Sequence, residues 1–396
     1  MNEKTKRFVT AKFGEYYKRA KVEIPTDLWM REWGFVLFDH YYPAKLVMRR
    51  HKAFAAEKEL VNYLLENAPA HAYHSAAIYK YPTAKMADKG WLGADLIFDL
   101  DADHVIGEAE FQSYSYEAIL KCVKEETLKL IDFLLNDFGF PENKIELVFS
   151  GSRGYHIHIE TEEVRGFGSR ERREIVDYVM ATGLDMNIFS FGNLKRGKLS
   201  GEKRKIGVLL RPEGWGKRLF KGLIDFLHEI AAMGEKEAIE LVKNVGEMEK
   251  KKAKEIIRIA KDETVMKRIE SGQIPEFVDS IWQAIAKTVT KDVSVKSADK
   301  PDAPVTADIK RLIRLPTSLH GKSSLQVKPL SIETFDDFDP LVDAVAFGDS
   351  LIEISVTRNS SITMKGESYE VEEGEVASVP EYVALYFMCR GVAEIK

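Results

Sequence analysis

Asp99 and Asp101 stand two residues apart in the run Phe-Asp-Leu-Asp-Ala-Asp at 98–103. Side chains two apart on an extended strand share a face, so both carboxylates aim at one place. Like charges held that close repel, and a divalent cation such as Mg²⁺ or Mn²⁺ relieves the repulsion. Two such ions about 3.5–4 Å apart form the usual clamp for displacement at phosphorus. The plainer reading is an acidic strand end facing water. The apolar residues Leu96, Ile97 and Phe98 just before the pair weigh against a solvated face.

A second cluster is Ser-Gly-Ser-Arg-Gly-Tyr-His-Ile-His at 150–158. A strand ends there, a glycine-flanked turn exposes backbone amides, and a new strand begins. Such a turn cradles phosphate. Ser150 adds a hydroxyl, Arg153 a guanidinium fork and His156 a further donor. The alternative is a hairpin whose glycines serve only the turn; His158 by itself reads as structural. A third cluster lies in VTADIKRLIRLPTSLHGK at 305–322, with Asp308, the basic row Lys310, Arg311 and Arg314, then His320 and Lys322. The expectation is a third metal ligand followed by cations for triphosphate and template. An edge strand guarded by charges is the bland alternative.

The elements that must position these groups are legible in outline. Residues 1–66 read as helical, most clearly at 55–68. An extended region follows from His74, with a strand over 94–103 that puts Leu96, Phe98 and Leu100 on one side and Asp95, Ile97, Asp99 and Asp101 on the other. A long amphipathic helix over about 116–138 ends at Gly139 and Pro141. Strands at 144–150 and 155–160 flank the glycine turn, and a polar helix follows near 169–182. Residues 218–290 are helical throughout, punctuated at Gly234 and at 272–275. Extended segments return at 305–316, 325–330 and 350–358, with a hairpin near 361–371 and a final helix from about Pro380. The expected architecture is α/β, a mixed α+β catalytic body carrying an all-helical inserted lobe. Its expected boundaries are 1–212 for the first part of the body, 213–295 for the insertion and 296–396 for the second part.

Composition narrows the class. Of 396 residues 45% are hydrophobic and 31% charged, which excludes a disordered or fibrous chain. No apolar run approaches the ~18 residues of a membrane span, and the charged N-terminus lacks the apolar centre of a secretion signal. The net charge is −5, yet residues 195–221 hold ten Lys/Arg against two Glu, and residues 1–21 seven against two. Basic stretches in an acidic protein mark a phosphate-rich partner when phosphate chemistry lies nearby; otherwise they are solvated loops. Cys122 and Cys389 are too few and too far apart for a disulfide scaffold or a four-cysteine zinc site. Asp137-Phe138-Gly139 spells a kinase magnesium motif, but no other kinase signature accompanies it. A cytoplasmic protein with no membrane contact is expected.

At these segments the sequence resembles the catalytic small subunit of the archaeo-eukaryotic DNA primases, in its archaeal form. GWLGADLIFDLDAD, a helix ending NDFGF, FSGSRGYHIHI and DIKRLIRLPTSLHGK occur in the family's order, and REWGF (31–35) and MRRHKAF (48–54) look like family elements. The likeness covers about residues 10–330. It implies that Asp99, Asp101 and Asp308 are the metal-binding catalytic carboxylates. It implies that Ser150, Arg153, His156, His320 and Lys322 hold the incoming nucleotide's triphosphate, with Glu32 and Arg50 as N-terminal active-site residues. Where family members carry arginine before Arg153 this chain has Ser152. Asp103 shares the acidic face without being a family ligand. Many relatives bear a Cys/His zinc knuckle after the aspartates. Here residues 104–122 offer only His104 and Cys122, so no structural zinc is expected. The implied activity is DNA-dependent synthesis of short primers on single-stranded DNA from nucleoside triphosphates, with Mg²⁺ or Mn²⁺ and a primase large subunit as heterodimer partner. A gap-filling repair polymerase of the same superfamily and a non-catalytic single-strand-binding subunit are the alternatives.

Overall fold

The computed structural model describes residues 1–107, 113–185, 213–246, 249–272, 276–296 and 308–396. The chain divides into two compact units. One comprises Met1–Lys124, Pro141–Glu174 and Asp302–Lys396; the other comprises Glu125–Phe140 and Ile175–Pro301. Much of the basic run, residues 195–212, lies outside the described residues.

The first unit begins with helix α1 (Glu3–Arg19), whose N-cap Asn2 accepts from the Thr5 amide, satisfying one otherwise unpaired donor. Its first sheet takes β1 (Arg31–Val36), β2 (Met48–Lys52), β3 (His71–Tyr79) and β4 (Trp91–Ala94) in the order β2-β1-β3-β4, and β8 (Leu312–Arg314) also pairs with β3. Strands β1 and β2 replace the helix expected across residues 1–66; only α1 and α2 (Glu57–Asn67) are helical there among the long elements. The reason is burial on both sides. All six residues of β1 are buried, so no 3.6-residue stripe exists to read. Trp33 and Phe35 pack on Phe54 and Tyr63, with ring centroids 4.4–6.1 Å apart.

The second sheet carries the acidic pair. Its order is β5 (Leu96–Asp101), β7 (Gly154–Ile159), β6 (Ile145–Phe149), β9 (Lys328–Leu330), with every pairing antiparallel. Leu96, Phe98 and Leu100 face the core with Tyr155, Ile157 and Ile159, all buried. Each such large apolar side chain contributes roughly 1.5–3 kcal/mol on burial. The opposite face is polar and built in rows: Asp101 opposite Gly154, Asp99 opposite His156, and Ile97 opposite His158, with Glu146 beside His158 on β6. The unit closes with β10 (Leu351–Val356), β13 (Val376–Pro380) and β14 (Ala393–Ile395) in one sheet, the hairpin β11 (Ser360–Met364)–β12 (Glu367–Val371), and a buried C-terminal helix, Glu381–Cys389.

The second unit is helical. Between α3 (Tyr116–Asn136) and α4 (Ser169–Val179), which each run from the first unit into it, and the helices α5 (Gly214–Ala232), α6 (Glu235–Gly246), α7 (Lys250–Ala260), α8 (Glu263–Glu270) and α9 (Glu276–Val293), it buries Leu219, Leu223, Leu227, Ile230, Val242, Trp282 and Ile285. A Cβ on Gly222 would stand 2.7 Å from Val289 and 2.8 Å from Val293, so glycine lets α5 and α9 approach. Asp137, first letter of the kinase-like triplet, accepts from Tyr178 and from Arg218, whose guanidinium also lies 3.7 Å from the Phe133 ring centroid. The triplet is a structural anchor. Arg218, counted in the basic run, is spent on it.

Candidate active site

Asp99 and Asp101 sit at the end of β5, on its polar face, where the strand leaves the core. The register that places them is enforced by close approach: a Cβ on Gly154 would lie 2.4 Å from the Leu100 carbonyl oxygen. Asp99 Oδ1 stands 3.5 Å from His156 Nε2, and Asp99 Oδ2 accepts from Arg311 at 2.5 Å. His156 is buried, and desolvation, then Arg314 and Arg311, hold it down at about 3. It is therefore a neutral imidazole at working pH. Burial and the neighbouring Asp99 push the Asp101 carboxyl up, against the opposing pull of Arg153. Asp101 Oδ1 is buried with no hydrogen-bond donor. A buried, donor-less carboxylate oxygen beside a second carboxylate fits a divalent cation, whose charge supplies what the protein does not.

Asp308 arrives from the segment leading into β8. Its Oδ1 accepts from the Lys310 amide and its carbonyl from the Arg311 amide. This turn aims Arg311 at Asp99. Asp308 is exposed, and it lines a crevice with Asp95, Ile97, Arg172 and Arg311. Arg311, three residues on, joins this segment to Asp99.

The glycine turn and the third cluster meet as well. Gly151 has φ +82°, and a Cβ there would lie 2.7 Å from His320 Cβ. Ser323 Oγ donates to the Gly151 carbonyl at 2.5 Å, and His320 Nδ1 accepts from the Lys322 amide at 3.3 Å. Burial, then Arg314, keeps His320 neutral. The Ser150 amide donates to the Gly154 carbonyl across the turn, and Ser150 is buried. Lys322 is exposed. Arg153 bonds Asp103 at 2.9 Å and lies 4.0 Å from Asp101. Asp103 therefore holds the arginine rather than extending the carboxylate pair. Because the Gly151 conformation and contact both exclude a side chain, Gly151→Ala is expected to displace the His320–Lys322 segment and cost about 1–3 kcal/mol of stability. Thermal melts check this, and an unchanged melting temperature would mean that the turn takes a side chain without strain.

Glu32 and Arg50 form a separate ion pair. Arg50 Nε and Nη2 reach Glu32 at 3.0 and 3.1 Å, and Glu32 is fully buried. Despite the desolvation that raises it, the bonds from Arg50 and the His51 amide leave the Glu32 carboxyl lowered. Lys89 Nζ stands 3.5 Å from Glu32 and 5.1 Å from the Tyr79 ring centroid. Burial, then the Glu32 charge, pushes the Tyr79 hydroxyl up to about 12. Lys89 escaped sequence reading; a lysine one residue before a glycine carries no signal of burial. So did Asp95, whose fully buried carboxylate meets fully buried Arg31 at 2.6 Å. His104 and residues 108–112 of the expected zinc-free segment fall outside the described side chains.

A carboxylate pair at the end of a strand is thus faced by an imidazole and guanidinium groups, beside a glycine turn and a lysine loop, on a mixed α/β body. The family model for the DNA primase small subunit matches residues 98–332. The chain is 45% identical to the DNA primase small subunit PriS of Methanococcoides burtonii, 43% to that of Methanocella arvoryzae and 40% to that of Methanothrix thermoacetophila; each alignment covers 100% of this chain and 99%, 99% and 100% of the relative. The chain belongs to the DNA primase small-subunit family, and it is a DNA primase. No described helix is long and apolar enough to cross a membrane.

Proposed function

We propose that the chain synthesises primers on a single-stranded DNA template from nucleoside triphosphates, with Asp99, Asp101 and Asp308 holding divalent cations. The observation that carries this is the convergence on Asp99: Arg311 from the segment begun by Asp308 and His156 from β7 both reach it. When bound, Mg²⁺ or Mn²⁺ would lower the pKa of the attacking 3′-hydroxyl and neutralise charge on the triphosphate.

The chain's own residues do the remainder. The 3′-hydroxyl gives up its proton to solvent, its oxygen bonds to the α-phosphorus, the bond from that phosphorus to the bridging oxygen breaks, and pyrophosphate leaves with the electron pair. Arg153 and His156 stand beside the acidic pair and His320 and Lys322 beside the glycine turn, so charge developing on phosphoryl oxygens would meet donors there. His156, neutral, offers an N–H without adding repulsion to the arginines. Arg311 on Asp99 supplies a positive charge that cation binding must displace, and Asp103 holds Arg153 at the site's edge until triphosphate competes for it. Glu32 orients Arg50 bidentately. The name of the relatives, a small subunit, supports a large-subunit partner for this chain. Exposed Lys217 and Lys221 suit backbone contact with template, which carries no sequence information and weakens with salt.

Lys322→Ala removes an exposed cation rather than a packed group. It is expected to raise the apparent nucleotide KM about tenfold with a smaller change in kcat, measured by primer synthesis on single-stranded DNA. An unchanged KM would remove Lys322 from the triphosphate site.

A further inference from the structure

The polar face of the β5-β7-β6 sheet continues past the aspartates. One row on from His156 stands His158, opposite Ile97 and beside Glu146; Glu160 follows just past the end of β7. These three, with Glu23, Ile24, Pro25, Thr26, His74 and Pro316, line a cavity of about 240 Å³. One donor atom each from Glu146, His158 and Glu160 lie within 4.8 Å of one another. His158 is 1% exposed, and its Nε2 has no hydrogen-bond partner. His74, also 1% exposed, has an unpartnered Nε2 as well, while its Nδ1 lies 3.3 Å from the Ser75 carbonyl. A buried imidazole nitrogen without a partner forfeits a hydrogen bond's worth of stability, so each asks for an explanation.

We propose that Glu146, His158 and Glu160 bind one divalent transition-metal cation of the zinc class, at a site distinct from the Asp99–Asp101 centre. A mixed imidazole–carboxylate set suits zinc-class ions, whereas magnesium takes oxygen donors and keeps its water. Three protein ligands leave a fourth position, and the cavity has room for water or the Glu23 carboxylate at its rim. The supporting bonds match a ligand set. Thr26 Oγ1 donates to Glu160 Oε2 at 2.9 Å, orienting the carboxylate, and the Glu23 amide is tied to Thr317 Oγ1 at 2.8 Å, closing the loop over the cavity. Burial, then the Glu160 and Glu23 charges, push Glu146 up to about 7, the repulsion a cation removes. Desolvation keeps His158 neutral, the form that coordinates. The His156 and His158 rings are 6.1 Å apart, so a cation on His158 braces the strand that presents His156 to Asp99.

The test is Co²⁺ titration of the metal-stripped full-length chain carrying Asp99→Asn and Asp101→Asn, which removes the other carboxylate centre. One Co²⁺ per chain, visible ligand-field absorption and a raised melting temperature are expected. Adding His158→Gln should weaken Co²⁺ binding about tenfold or more and abolish the absorption. Glu160→Gln gives the same readout should His158→Gln not fold, since the carboxamide keeps the size and the acceptor for Thr26. Absence of Co²⁺ uptake, or uptake unaltered by Glu160→Gln, would overturn the site and leave the carboxyl pair sharing a proton.

Discussion

Asp101→Asn is expected to lower primer synthesis about 10³-fold or more while leaving the fold and DNA binding in place. Loss of a ligand to a catalytic cation removes several kcal/mol of transition-state stabilisation, and each 1.36 kcal/mol is about a factor of ten. Asp101 is the cleaner of the two aspartates to change. Its carboxylate is raised by burial and by Asp99 against the pull of Arg153, 4.0 Å away, and its Oδ1 has no hydrogen-bond donor. The neutral amide therefore relieves repulsion, and the melting temperature of the cation-free chain should stay level or rise. Asp99→Asn should abolish synthesis equally, but it also loosens the Arg311 contact at 2.5 Å and the approach of His156 at 3.5 Å. A variant that keeps synthesis, or loses it only with its fold, would sink the assignment. Primer-synthesis assays alongside thermal melts separate those outcomes.

Asp95→Ala carries the largest expected cost in stability. Asp95 and Arg31 are both fully buried, 2.6 Å apart. The guanidinium is well bonded: Arg31 also donates to the Ser75 carbonyl at 2.8 Å and the Thr26 carbonyl at 2.6 Å, and Arg172 donates to the Asp95 and Ala94 backbone carbonyls at 2.7 and 2.6 Å. Removing the carboxylate strands a buried guanidinium, which costs about 3–5 kcal/mol. That is a fall in melting temperature on the order of 10 °C. Replacing both partners, as in Arg31→Met with Asp95→Leu, should cost much less than Asp95→Ala alone, because the expense lies in the uncompensated charge and not in the loss of attraction. A melting temperature within about 2 °C of the parent for Asp95→Ala would mean that Arg165, 3.4 Å from the same carboxylate, or solvent already dominates there.

The two cases show what the amino-acid order carried. Asp99 and Asp101 were legible because alternation along an apolar strand is local, and the glycine turn at 151–154 because only glycine suits its φ and its neighbours. The helices of the second unit announced themselves by period. Strand β1 did not: burial of all six residues erases any one-sided stripe, and its identity comes from pairing with β3. Asp95 lies on the same alternating face as Asp99, yet one is sealed against Arg31 and the other opens towards Arg311. No local pattern separates them, since both partners come from distant segments. Lys89 gives no sequence signal for the same reason. It takes its meaning from groups that only the folded sheet brings near.

The most direct test of the three-carboxylate centre is anomalous scattering from crystals of the chain grown with Mn²⁺ and a non-hydrolysable nucleoside triphosphate. Manganese peaks within coordination distance of Asp99, Asp101 and Asp308 together, with the triphosphate against Arg153, His156 and Lys322, are the predicted result. Manganese bound by Asp99 and Asp101 while the Asp308 carboxylate points elsewhere would contradict it.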